Sequence, residues 1–168
     1  MVYLNDNPSI PIAAMSLDAL RSHVGRVEAV PGTRDDNAVI VEPGDHRRQV
    51  WVKPAYSGYR SAWRHVHIHI PGNTDVDHIY NRARALVLRY AYVRLFLCNS
   101  AANQRHGRFL ERRLTRTERV LQRTVARDDI LFASNWTIAK MAGIAIDRDS
   151  PTYDQRAALD WLYSNNFI

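Results

Sequence analysis

The chain has 168 residues, of which 46% are hydrophobic and 24% charged, values that exclude wholesale disorder, collagen and a coiled coil. Its single cysteine, Cys98, excludes a disulfide framework and a zinc site built from several cysteines. Apolar runs such as Ala91–Cys98 are too short to span a bilayer, and Met1 to Asn7 lack the pattern of a secretory signal. We therefore expect one domain, cytoplasmic or delivered to a cytoplasm, with no membrane partner.

The N-terminal half has the pattern of short antiparallel strands between turns. Residues 1–12 have the composition of a polar, proline-punctuated arm, and Ser16 is placed to cap a helix over Leu17–His23. Segments bounded by Pro, Gly and Asp predict four strands, Val24–Val30, Ala38–Val41, Gln49–Lys53 and Trp63–Ile70. In the last segment, alternate residues put Trp63 and the three histidines on one face and Arg64, Val66, Ile68 and Ile70 on the other, which is the period of a strand.

The C-terminal half has the pattern of helices around one strand. A strand is predicted over Tyr92–Cys98, and helices over Tyr80–Tyr90, Ala101 to about Val125, Asp129–Met141 and Thr152–Tyr163. The predicted fold class is therefore α+β, as a single domain over residues 1–168. It has a small antiparallel β-rich part at 24–71, a strand-and-helix core at 73–126, and a brace of C-terminal helices at 128–168.

The positive charge is concentrated in one part of the chain. Residues 82–127 hold 12 arginines and two glutamates, whereas residues 1–81 and 128–168 carry net charges of −1 and −3. Of the 23 basic residues, 21 are arginines, whose planar guanidinium binds phosphate bidentately. A GC-rich genome also encodes arginine in place of lysine, but it would spread the arginines evenly along the chain. The block therefore favours a polyanionic partner over a merely solvated helix face.

Two segments near this block resemble the ββα-metal nucleases, also called HNH or His-Me finger nucleases. The first is Asp75-Val-Asp77-His78, and the second is Asn99-Ser-Ala-Ala-Asn103-Gln-Arg-His106-Gly, which opens a helix after a strand. The resemblance covers about residues 73–113 and implies that residues 73–126 form a ββα-metal core. It departs from the family in two ways: the glycine of the Asp-Arg-Gly-His form is absent, and the connection between the two strands contains helix.

The resemblance implies a divalent-metal-dependent nuclease, an endonuclease that cuts phosphodiester bonds of DNA or RNA. His78 would be the general base that activates water, because an imidazole titrates near neutral pH. Asp77 would be a metal ligand. The cofactor would be one divalent ion, magnesium, manganese, nickel or zinc, which stabilises the phosphorane and the leaving oxygen.

Two branches of the family assign the helix residues differently. In the non-specific nuclease branch, an asparagine binds the metal and a glutamate eight residues later supports it, which matches Asn103 and Glu111. In the HNH branch, Asn99 or Asn103 would orient the base and His106 would bind the metal. Both assignments stay open at this point.

Arginines around the motif are predicted to grip phosphate beside the metal, with a solvent-exposed helix face as the alternative. They are Arg82, Arg84, Arg105, Arg108, Arg112, Arg116 and Arg119. The predicted partner is nucleic acid. Small basic domains of this type also include toxins, which implies an acidic inhibitor or immunity protein as a second partner.

A competing motif, His65-Val-His67-Ile-His69-Ile, resembles the histidine triad of nucleotide hydrolases, with His67 as the nucleophile. Nearly 100 residues follow the motif here, whereas that family usually places it near the C-terminus. The three histidines would also suit a zinc site or an exposed ladder on one strand face. A further alternative is a basic nucleic-acid-binding protein without catalytic activity, recognisable by steep salt dependence.

Overall fold

The computed structural model describes residues 10–34, 36–44, 47–108, 128–145 and 155–164. These residues form seven strands: β1 Pro11–Ala14, β2 Arg26–Ala29, β3 Ala38–Glu42, β4 Gln49–Val52, β5 Thr74–His78, β6 Tyr92–Asn99 and β7 Ile130–Phe132. They also form six helices: α1 Leu17–His23, α2 Tyr59–Val66, α3 Arg82–Leu88, α4 Ser100–His106, α5 Asn135–Met141 and α6 Gln155–Ser164.

All of the strand pairs are antiparallel and belong to one curled sheet, which confirms the α+β class. The strand order is β2-β3-β4-β6-β1-β7, and β5 pairs with β6 outside this path. Strand β6 is the longest of the described strands and has three partners. Sequence neighbours thus form the edge made by β2, β3 and β4, while the two ends of the described chain meet around β1 and β7.

Strand β6 changes its partner along its length. Its first residues pair with β4, where Trp51 lies opposite Arg94. From the next residue onward β6 pairs with β5, whose register runs from His78 opposite Leu95 to Thr74 opposite Asn99. Strands β4 and β5 therefore separate at the junction between Arg94 and Leu95 of β6. We call this junction the fork, and it positions the site described below.

Helices cover both faces of the β5–β6 pair. On one face, Val76 and Leu95 pack in an apolar cluster with Ala62 and Trp63 of α2. On the other, residues of β6 pack with helices α5 and α6, in a cluster that contains Phe96, Cys98, Ile138, Met141 and Leu162. A third cluster lies under α1. Because the β5–β6 pair is covered on both faces, polar side chains at its end become buried.

Several predicted elements are confirmed. Helix α1 has the predicted bounds, and the Ser16 hydroxyl accepts a hydrogen bond of 3.0 Å from the backbone N–H of Ala19. Strands β2, β3, β4 and β6 and helices α3 and α6 lie within a few residues of their predicted ranges. Helix α4 confirms the start of the long helix, and the rest of that prediction lies outside the described residues.

The strand predicted over Trp63–Ile70 is wrong. Helix α2 ends at Val66, and the residues after it are not in a strand. Tyr59, Ala62, Trp63 and Val66 recur at the helical spacing of three and four residues, and they bury one face of α2. Packing of this apolar face stabilises a helix more than the two-residue alternation of residues 63–70 favours a strand. The part at 24–71 is therefore interrupted by a helix.

Two further predictions fail at strands β1 and β7. The arm predicted over residues 1–12 instead contributes Pro11 and Ile12 to β1, which lies between β6 and β7. The helix predicted from Asp129 starts only at Asn135, after β7. Both strands are short, and their stability comes from pairing with chain more than 75 residues away, which no local pattern reports.

Candidate functional site

Asp77 and His78 end β5, and their side chains leave opposite faces of the sheet because successive strand residues alternate. The His78 ring meets the ring of Tyr59 in α2, with 4.8 Å between their centroids. The Asp77 carboxylate meets Lys140 in α5. The predicted general base and the predicted metal ligand therefore contact different helices.

His78 is a buried histidine, with 4% of its surface exposed. Its Nε2 atom is buried without a hydrogen-bond partner among the described residues. Its Nδ1 lies 4.0 Å from Asp77 Oδ1, which is too long for a hydrogen bond. Burial lowers the pKa of His78 to about 4; the Asp77 charge opposes this shift, and the charges of Arg82 and Lys140 add to it. The imidazole is therefore neutral near pH 7, and a pKa of about 4 makes it a weaker base than the near-neutral histidine that the sequence analysis expected.

Lys140 is the residue that the sequence analysis missed at this site. Its ammonium lies 2.9 Å from Asp77 Oδ2 and 3.5 Å from the backbone oxygen of His78. The lysine is 2% exposed, whereas the Asp77 side chain is 29% exposed. A lysine inside the apolar run Ile138-Ala-Lys-Met-Ala was the available signal, because a lysine is rarely buried without a partner.

The predicted helix residues have separate surroundings. Asn99 caps α4, since its Oδ1 accepts hydrogen bonds of 3.1 Å from the backbone N–H groups of Ala101 and Ala102. Asn103 is half-buried on α4. His106 is buried, and its Nε2 lies 3.0 Å from the backbone oxygen of Ile144. That contact ties α4 to the segment after α5, so metal binding through Nε2 would require it to break. Glu111 lies outside the described residues.

The donor chemistry of Asp77 and Asn103 suits a hard divalent cation, which prefers oxygen ligands and keeps several waters. Within the described ranges, no group of three or more His, Cys, Asp or Glu side chains is placed to hold a metal. The Lys140 ammonium already places a positive charge beside the partly exposed Asp77 carboxylate. That charge disfavours a second cation at Asp77, so a metal would have to displace the Lys140 ammonium or bind the other carboxylate oxygen.

The predicted phosphate-binding arginines differ in surroundings. Arg82, Arg105 and Arg108 are exposed. Arg84 is half-buried, and its guanidinium lies over the Tyr80 ring at 4.6 Å from the centroid. Arg112, Arg116 and Arg119 lie outside the described residues.

The three alternating histidines do not share a strand face. His65 lies in α2 and is exposed, His67 caps the C-terminal end of that helix, and His69 is exposed in the segment after it. The strand that a histidine triad or a zinc site on one strand face requires is therefore absent from residues 63–70, all of which the structure describes. His67 lines the cavity described next.

This cavity, of about 170 Å³, lies at the fork between β4 and β5. Its lining is basic and aromatic: Arg47, Arg48, Gln49, Trp63, His67, Arg94, Leu95 and Phe96. Leu95 and Phe96 lie opposite His78 and Asp77 in the sheet, so the cavity adjoins the end of β5. The sequence analysis did not select these arginines, because two of them lie outside the basic block and a partner change of β6 brings the three together.

Comparison with family models, with curated proteins and with solved structures found no match to this chain. No helix in the part of the chain that the structure describes is long and apolar enough to cross a membrane. Function must therefore be argued from the site itself.

Proposed function

We propose that this protein is a divalent-metal-dependent nuclease in which His78 is the general base. The observation that carries the proposal is the buried, neutral imidazole of His78 with an unpartnered Nε2 among the described residues. A buried polar atom without a partner costs about 1–3 kcal/mol, so a histidine kept in this state calls for a functional explanation. An unpartnered Nε2 on a neutral ring can accept a proton from water, and the lowered pKa means that His78 would act as a weak base.

The order of elements around His78 supports the same proposal. Strand β5 pairs antiparallel with β6, and α4 starts directly after β6. This strand, strand and helix order is the one that the ββα-metal resemblance requires, with the histidine on the first strand. The helix α3 between the strands is the departure already visible in the sequence.

In the proposed reaction, His78 accepts a proton from water as the water oxygen bonds to phosphorus. The bond from phosphorus to the leaving oxygen breaks, and that oxygen takes a proton from solvent. When bound, the divalent cation would supply charge stabilisation to the phosphoryl and leaving oxygens. Asp77 and Asn103 are the residues proposed to hold it; because Asp77 leaves the sheet face opposite to His78, a cation at Asp77 would have to reach the reacting phosphate around the end of β5. His106 has the weaker claim, because its Nε2 contacts the oxygen of Ile144.

Water must reach His78 for this reaction. The Tyr59 ring packs against the imidazole, and 4% of the histidine surface is exposed. The proposal therefore requires Tyr59 to move aside when substrate binds, which a side chain at the first position of α2 is placed to do. A Tyr59→Ala variant should retain cleavage, because in this proposal Tyr59 only covers the base and takes no part in the reaction.

The test is a cleavage time course on supercoiled plasmid and on total RNA. Magnesium, manganese, nickel and zinc are each supplied with and without chelator. The variants are His78→Ala, Asp77→Asn and, as a matched control, His65→Ala, which removes an exposed histidine of α2. Circular dichroism and thermal melting establish that each variant is folded. We expect metal-dependent cleavage by the wild type and a loss of about 10²–10⁴-fold in His78→Ala.

Retention of full cleavage in His78→Ala, or its loss in His65→Ala, would contradict the assignment of the base. A wild type that cuts neither substrate with any of the four metals would overturn the nuclease proposal itself. Salt-sensitive retardation of the same nucleic acids in a gel would then favour the non-catalytic binding protein.

A further inference from the structure

The cavity between β4 and β5 has a composition that calls for a ligand. Its lining residues include three arginines and one histidine, and no aspartate or glutamate of the described residues is among them. Basic residues from three parts of the chain thus meet around one partly open space, and a bound anion would complement their charge. We propose that this cavity is a phosphate-binding site, which takes one phosphate group from a nucleic acid strand, a nucleotide or free phosphate.

The donors are held by the fold rather than by flexible surface chain. Arg94 is more than nine-tenths buried in β6, its backbone oxygen accepts a hydrogen bond from Ile79, and its guanidinium lies 6.0 Å from the centre of the Phe96 ring. Arg47 and Arg48 directly precede β4. Arginine at such positions suits phosphate, because its planar group offers paired donors.

Trp63 adds a second, independent observation. It is also more than nine-tenths buried, lines the cavity, and has an indole Nε1 with no hydrogen-bond partner among the described residues. An indole N–H only donates, and because this Nε1 is buried, a phosphate oxygen in the cavity would satisfy it after a shift of the side chain. A tryptophan buried for packing alone is usually placed so that this donor finds a partner.

His67 reports the positive field of the cavity. Burial lowers the pKa of its ring, a hydrogen bond to the backbone of Arg48 opposes that shift, and the charges of Arg48 and Arg94 lower the pKa further. A phosphate in the cavity would counter those two charges. Its binding should therefore raise the pKa of His67, which provides a local signal for occupancy.

The size and position of the cavity fit a phosphate on a strand. Its volume of about 170 Å³ is several times the roughly 30 Å³ of one water. Helix α2 brings Tyr59 to His78, and Trp63 and His67 follow at steps of four residues, about 6 Å each. A strand cut at His78 would thus carry a neighbouring phosphate to the cavity; this last step rests on the proposed function, and the phosphate site itself does not.

The experiment follows the His67 ring by NMR in chelator, where no metal-dependent cleavage proceeds, and His67→Gln assigns the resonance. Inorganic phosphate, a 5′-mononucleotide and a short single-stranded oligonucleotide are titrated separately. We expect the His67 signal to move and the dissociation constant to rise about tenfold in Arg48→Gln. Arg64→Gln, an exposed arginine of α2 outside the cavity, is the matched control and should stay within about twofold.

Trp63→Phe removes the indole donor and keeps an aromatic ring, so it tests the cavity with little risk to the fold; we expect roughly three- to tenfold weaker binding.

If the oligonucleotide alone moves the His67 signal, the ligand is a phosphate within a nucleic acid strand. If all three ligands move the signal, a single phosphate group is enough. Both results support the site. A His67 signal that no ligand moves, or equal weakening in Arg48→Gln and Arg64→Gln, overturns it. Because the titration is done in chelator and reads the His67 ring, this result is separate from the outcome of the cleavage assay.

Discussion

At the residue scale, burial changes what a histidine can do. His78 lies under Tyr59 with its Nε2 unpartnered among the described residues, whereas the Nε2 of His106 contacts a backbone oxygen. Both histidines are buried, and both carried predicted roles. The contact of His106 with a backbone oxygen explains its burial as a structural role. The surroundings of His78 offer no such explanation. This difference directs the proposed chemistry to His78.

The surroundings of His78 predict a dependence of stability on pH. Its folded pKa of about 4 lies below the unfolded value of about 6.5, so the unfolded chain binds more protons between these values. The free energy of unfolding should be constant above about pH 7 and fall by about 3 kcal/mol as the pH drops toward 4. Urea unfolding in chelator at pH 7 and at pH 4.5 measures the difference.

In His78→Gln the fall between these pH values should be smaller. Part of it should remain, because burial also lowers the pKa of His67 and contributes in the same direction. An unchanged slope in His78→Gln would show that His78 is protonated as easily in the folded as in the unfolded chain, contrary to its burial.

At the element scale, the Asp77–Lys140 ion pair joins β5 to α5. The two partners differ in burial, since Lys140 is 2% exposed and Asp77 29%. Removing one partner of a buried pair is costly mainly because the other charge is left buried. The consequence is an asymmetry between the two single substitutions.

Asp77→Asn should lower the free energy of unfolding by about 3–5 kcal/mol, because it removes the carboxylate charge that lies 2.9 Å from the buried Lys140 ammonium. Lys140→Met should cost less than about 2 kcal/mol, because the partly exposed carboxylate keeps some of its water. Urea unfolding of both variants and of the double variant completes a double-mutant cycle, which measures the interaction energy between the two side chains. Equal costs in the two single variants would argue that the pair does not act through the burial of Lys140.

At the scale of the whole molecule, the sheet closes through chain segments far apart in sequence. Strand β1 pairs with both β6 and β7, so residues near the start of the chain bond to residues 92–93 and 130–132. Every residue of β1 is buried. This central position makes β1 a support for β6, the strand that presents Arg94 to the cavity and pairs with β5.

Ile12 tests that support. Ile12→Ala should lower the free energy of unfolding by about 3 kcal/mol, because the side chain is 1% exposed and its removal leaves a cavity in the core. The same substitution at Ile68, which is 99% exposed, is the matched control and should change stability by less than about 0.5 kcal/mol. Similar values for the two variants in urea unfolding would show that β1 contributes little to the sheet.

The sequence by itself determined the elements whose signals are local. A capping serine predicted α1, turn residues bounded β2, β3 and β4, and an apolar run predicted β6. The sequence also placed Asp77 beside His78 and concentrated the arginines in one block. Such features are set by neighbouring residues, through capping bonds, side-chain periodicity and turn conformations, so a linear reading can recover them.

Only the tertiary structure decided the contacts between distant segments. It made Tyr59–Val66 a helix, because an apolar face could pack on the sheet there. It put the Lys140 ammonium on Asp77, 63 residues away, and brought Arg47, Arg48 and Arg94 around one cavity. Burial, ion pairing and the choice of strand partners depend on the whole packed molecule, and no window of sequence contains them.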